Sequence, residues 1–88
     1  MSKSVENLTP NAKAYFEAAV KDAGNWNGNP LVNGNFTILS AKEDRGLLTA
    51  CKRADLLTTW HDDEMNSEYI QFTEFGRAEA KRVLGVEL

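Results

Sequence analysis

The run Arg45-Gly-Leu-Leu-Thr-Ala-Cys-Lys-Arg-Ala-Asp-Leu-Leu57, then Thr58-Thr-Trp60, His61-Asp-Asp-Glu-Met-Asn-Ser-Glu68, Tyr69-Ile-Gln-Phe72 and Thr73-Glu-Phe-Gly-Arg77 decides the fold. Its first part spaces small and apolar residues for a helix, with Leu47, Ala50, Cys51, Ala54 and Leu57 inward and Arg45, Thr49, Lys52 and Arg53 on the opposite side. Thr58–Trp60 and Tyr69–Phe72 are rich in β-branched and aromatic residues, so they predict two strands joined by an acidic loop. Thr73 is a good helix N-cap, Glu74 suits the first turn, and Lys81 and Arg82 suit the last, where each charge opposes the helix dipole. Gly85 ends that helix. Gly76 and Ala80 lie one turn apart and leave room for a neighbouring element.

Upstream, Ser40-Ala-Lys-Glu43 has the form of a capping box, which starts the basic helix at Ala41. Gly46 inside it costs about 1 kcal/mol relative to Ala and marks an expected bend. Phe36-Thr-Ile38 reads as a short strand that joins the sheet. Gly24 to Asn35 is rich in Asn and Gly, reads as a loop, and carries a tight-turn signal at Asn33-Gly34. Trp26, Leu31 and Val32 are its expected anchors. Before the loop, Thr9-Pro10 opens a helix whose stripe is Leu8, Ala12, Tyr15, Phe16, Ala19, Val20 and Ala23, and Gly24 is its expected stop. Residues 1 to 7 are polar and expected to be loose.

The reading is therefore an α+β domain over 8–88: helices near 9–23, 41–57 and 73–84, with a two- to three-stranded antiparallel sheet from 58–61 and 69–72, joined by 36–38. Tyr15, Phe16, Leu47, Trp60 and Phe72 are expected to share its core. Eighty-eight residues suit one domain. No apolar run reaches the ~18 residues of a membrane span, and Met1 to Asn7 lacks the apolar centre of a signal peptide, so a cytoplasmic location is expected.

Chemistry finds few footholds. The one cysteine rules out an internal disulfide framework. Cys51 falls on an inner face and reads as a buried, inert thiol. A lone histidine, His61, leaves no Ser-His-Asp or Cys-His constellation. His61 beside Asp62, Asp63 and Glu64 lacks the alternating acids and central Gly of a calcium loop. No Gly-rich phosphate loop follows a strand. No enzymatic activity, cofactor or metal is expected.

Charge is the remaining signal. The net charge is −3, and from Ala54 to Gly76 there are six acids and no Lys or Arg. Lys42, Arg45, Lys52 and Arg53 precede this stretch; Arg77, Lys81 and Arg82 follow it.

The "Ala-Asp-Leu-Leu" helix end, the two strands and the "Phe-Thr-x-x-Gly-Arg-x-x-Ala" opening of the last helix resemble the winged-helix family of helix-turn-helix proteins. The chain is also similar to small phage or prophage proteins in its "LLT…K…LLTT" run, its acidic wing and its "FT…G" turn. That resemblance implies a DNA-binding regulator, with Arg45, Thr49, Lys52 and Arg53 offered to phosphates and base edges in a major groove. Two features depart from the family. Only sixteen residues separate Ser40 from Leu56, so a positioning helix has one or two turns at most. The wing also carries Asp62, Asp63, Glu64 and Glu68, which phosphates repel. A second reading stays open: a protein-binding phage effector that presents those four acids to a basic surface on a host partner and binds no DNA.

Overall fold

The computed structural model describes residues 5–26, 38–64 and 66–88. Its elements run in the order 3-10 turn Val5–Asn7, α1 (Pro10–Trp26), α2 (Ala41–Arg53), β1 (Leu57–Asp62), β2 (Ser67–Phe72) and α3 (Glu74–Leu84). The result is a small α+β domain of three helices and one antiparallel hairpin among the described residues.

Three helix starts follow the sequence signals. The Thr9 hydroxyl accepts the Ala12 N–H at 3.3 Å. Ser40 Oγ accepts the Glu43 N–H at 3.1 Å and donates to Glu43 Oε1 at 3.0 Å. Thr73 Oγ1 accepts the Gly76 N–H at 2.8 Å. Each cap satisfies a donor that the first helical turn leaves without a backbone partner.

The helix ends differ more. α1 runs through Gly24 to Trp26, because one glycine weakens a helix without breaking it. α2 stays continuous across Gly46 and stops at Arg53, four residues short of the expected end at Leu57. Asp55 adopts a left-handed φ of 62°. The Leu56 N–H then donates to the Cys51 carbonyl at 3.1 Å and the Asp55 N–H to the Lys52 carbonyl at 3.0 Å. This pair of bonds is a Schellman stop, built here on Asp where glycine is usual. It frees Leu57 to begin β1. α3 ends as expected, on Gly85 at φ 69°.

The structure puts His61 in the ladder, as the expected 58–61 strand has it, and extends the strands to Leu57, Asp62, Ser67 and Glu68, so the last three belong to the ladder and not to the loop. The register pairs Leu57 with Phe72, Thr59 with Ile70 and His61 with Glu68 on one face. It pairs Thr58 with Gln71, Trp60 with Tyr69 and Asp62 with Ser67 on the other. Side chains alternate along a strand, so a buried Leu57 sends Trp60 outward.

The core gathers Tyr15, Phe16, Ala19 and Val20 from α1, Leu48 and Cys51 from α2, Leu56, Leu57, Ile70 and Phe72 from the hairpin region, and Ala80 from α3. Phe16 meets Phe72 edge-on, with ring centroids 6.1 Å apart. Two expected core members are displaced: Trp60 is 41% exposed, and Leu47 is only partly buried while Leu48 takes the inner position. Ala50 and Ala54 are likewise half-buried. The inner face of α2 runs through Asp44, Leu48 and Cys51, one residue round from the expected stripe.

At the N-terminus, polar composition gave no sign of order in residues 5–7, yet Val5 is 3% exposed and its N–H donates to Glu79 Oε1 at 3.1 Å. The Asn-rich turn, Leu31, Val32 and the strand expected at Phe36 lie outside the described residues. Ile38 is described; it sits in a bend and packs against the core.

Candidate nucleic-acid interface and hairpin surface

Arg45, Thr49, Lys52 and Arg53 are all exposed, and they fall on one side of α2. Their spacing of four, three and one places them along a single stripe, which the exposed Lys42 and Gly46 extend toward the helix start. Asp44, Leu48 and Cys51 hold the opposite side against the core. The Thr49 hydroxyl donates to the Arg45 carbonyl at 2.9 Å, which ties it to its own helix. Lys52 Nζ donates to Thr59 Oγ1 at 3.3 Å across to β1. Among the described residues no carboxylate lies within ion-pairing distance of Arg45, Lys52 or Arg53. By contrast, Lys81 and Arg82 on α3 are paired, with Glu87 at 3.0 Å and with Glu6 and Glu79 at 2.8 and 2.7 Å.

The start of α2 is held by a contact that charge counting hides. Asp44 is 2% exposed, and its two carboxylate oxygens accept the Ile38 and Leu39 N–H groups, each at 2.8 Å. The segment leading into α2 is thereby fastened to the first turns of the helix. Glu79 does the same on α3. It is 5% exposed, accepts the Val5 N–H, and receives Arg82 Nε and an Nη at 2.7 and 2.8 Å. The Arg82 hydrogen bonds hold its carboxyl below the usual carboxylate range, the Val5 N–H adds to this, and burial opposes it. Neither acid stood out in the sequence as a structural group. The available signal was position, since each falls on the apolar stripe of its helix, where a lone charge needs a partner.

The four acids of the hairpin do not form one surface. Asp63 and Glu64 sit exposed at the tip. Asp62 lies on the outer face with Trp60, and its Oδ1 accepts the Glu64 N–H at 3.0 Å. Glu68 lies on the inner face opposite His61, near enough to Tyr15 to add to the upward push on that phenol. Burial is the larger cause there, followed by Asp44 and Cys51, and together they raise it to about 12. Asn66, at a left-handed φ of 51°, returns the chain to β2.

Cys51 is fully buried; its S–H donates to the Ala12 carbonyl at 3.6 Å, and burial pushes the thiol up to about 12, so almost no thiolate exists at neutral pH. His61 Nε2 lies 3.7 Å from Asp63 Oδ1 in an exposed setting. No group of three metal-binding side chains occurs among the described residues. None of the described helices is long and apolar enough to cross a membrane.

No protein-family model, curated protein or solved structure matches this chain. Its class therefore rests on its own geometry: a small α+β domain with a cationic helix face that has no carboxylate partner among the described residues, and one acidic hairpin.

Proposed function

We propose that the protein is a small DNA-binding regulator that lays the outer stripe of α2 into a duplex groove. The observation that carries this reading is the stripe itself: Arg45, Lys52 and Arg53, with Thr49 between them, on one continuous, anchored helix and without a carboxylate partner among the described residues. Thirteen residues make a rod about 20 Å long and 10–12 Å across, which matches a major groove roughly 12 Å wide. Arginine and lysine without such partners gain most where phosphates replace water, through release of condensed counterions. The order of helix, cationic helix, hairpin and helix supports the winged-helix kind of regulator. The acidic tip would then point away from the phosphates, since Asp62, Asp63 and Glu64 would be repelled by them.

Titration against a short duplex at two salt concentrations tests the reading. Replacing Lys52 and Arg53 with Ala is expected to weaken binding and to flatten its salt dependence by about one unit of slope for each phosphate no longer neutralised. Neutralising Asp62, Asp63 and Glu64 leaves affinity unchanged or raises it. If the tip is the working surface, the two sets of variants exchange behaviour. No binding by the wild-type protein at low salt overturns the regulator reading.

A further inference from the structure

From the outer face of the hairpin we infer a second interaction surface, which takes an arginine-bearing basic segment of a partner protein and is separate from the α2 stripe. Trp60 and Tyr69 are cross-strand partners, stacked with ring centroids 4.8 Å apart and planes 25° from parallel. Trp60 is 41% exposed and Tyr69 is half-buried beside it. Their neighbours on that face, Thr58, Gln71 and Ser67, are small or polar and uncharged, so the indole stays open to an approaching group. Asp62 occupies the next outward position on β1, about 7 Å along the strand, and Asp63 and Glu64 follow at the tip.

The charge on this face selects the occupant. No Lys or Arg occurs between Ala54 and Gly76. One cation that reaches the hairpin, Lys52, bonds Thr59, which belongs to the opposite face with His61 and Glu68. An aromatic platform whose charged neighbours along the strand and tip are the carboxylates Asp62, Asp63 and Glu64 suits a cation that can stack flat, and a guanidinium stacks on an indole while its N–H groups bond a carboxylate in the same plane. An ammonium can use the charge but not the stacking. A nucleic acid would meet the same carboxylates as repulsion. A cross-strand aromatic pair also steadies a two-stranded hairpin by itself, so the test has to separate binding from that structural share.

The experiment follows amide and indole N–H resonances of the full-length protein labelled with nitrogen-15. The probes are a twelve-residue Arg-Gly-Ser repeat peptide, its Lys-Gly-Ser counterpart and a twelve-base-pair duplex. The Arg peptide is expected to move the Trp60 indole and the amides of Thr58, Tyr69 and Gln71, and to bind roughly two- to fivefold more tightly than the Lys peptide. Trp60→Thr, which keeps a good strand former, is expected to erase that preference. Asp62→Asn with Asp63→Asn and Glu64→Gln weakens both peptides and lowers their salt dependence. The wild-type shift map needs no variant, so a poorly folded Trp60→Thr protein does not spoil the test. Equal affinity for the two peptides with shifts confined to 62–64 overturns the inference in favour of simple charge attraction. Absence of any Trp60 shift at low salt overturns it as well, and so does a duplex that moves Trp60 more than the Arg peptide does. Duplex shifts confined to residues 42–53 leave it standing, and failure of the duplex to bind removes only the regulator reading.

Discussion

Two glycines in two helices show how differently the inner and outer sides of this domain are constrained. A Cβ on Gly76 would lie 1.7 Å from the Leu56 carbonyl oxygen and 2.7 Å from its carbon, inside the corner where the α2 stop, the start of β1 and the start of α3 meet. The same carbonyl accepts the Thr73 N–H at 3.2 Å, and Thr73 Oγ1 donates to the Asp55 carbonyl while capping Gly76. A Cβ on Gly46 would meet nothing within 4 Å. The first glycine is required by packing. The second sits on the open cationic stripe, where the fold makes no demand on it. Packed carbonyls and caps fix the inside, while the outer side of α2 around Gly46 is left open.

Replacing Gly76 with Ala should break that contrast most severely. The new methyl overlaps backbone, not a side chain that could swing away, so the corner itself has to open. A loss of at least ~3 kcal/mol is expected, at the upper end of overpacking costs, and chemical denaturation will read it. An unfolding midpoint close to wild type would mean that the corner yields easily.

Asp44→Ala comes next. It leaves the Ile38 and Leu39 N–H groups without their acceptor in a partly buried place, at an expected cost of about 2 kcal/mol. Hydrogen exchange should quicken at these two amides before the rest of the domain changes. If instead the amides stay protected, another acceptor has replaced the carboxylate.

The Glu79 cluster gives a pH test of the inner side of α3. Its folded-state pKa is depressed, so its stabilisation is fully present above the unfolded value of about 4.3 and is lost as pH falls through the lower folded value. Thermal unfolding of wild type should therefore weaken below about pH 4.3, and Glu79→Gln should flatten that acid limb. An unchanged acid limb in the variant would place the titrating group elsewhere.

The smallest effect has the opposite sign. Gly46→Ala should stabilise the protein by roughly 1 kcal/mol, because Ala is the better helix former and open space surrounds the site. A destabilised Gly46→Ala protein would show that something covers the stripe in solution.

Much of this architecture is written locally. The caps at Thr9, Ser40 and Thr73, the left-handed Gly85, the spacing of Tyr15, Phe16, Ala19 and Val20, and the strand character of 58–60 and 69–72 all act within a few residues, so propensity and period reveal them. The exposure of Arg45, Thr49, Lys52 and Arg53 was legible for the same reason. The acidic tip was legible as charge but not as a surface, because the strand ends decide which acids share a face.

What the sequence by itself determined, then, is three helices, one hairpin and a cationic side to α2. Tertiary structure alone decided where α2 stops, since Asp55 replaces the usual glycine and Leu57 is drawn into the sheet by its partner Phe72. That one choice of register turned Trp60 from an expected core residue into an exposed platform, because strand side chains alternate and a single position fixes all the others. Tertiary structure also made Asp44 and Glu79 interior groups by bringing N–H donors to them, Val5 from seventy-four residues away. A carboxylate on an apolar stripe is tolerated only when such donors arrive, and nothing within a few residues of Glu79 could announce that Val5 would supply one.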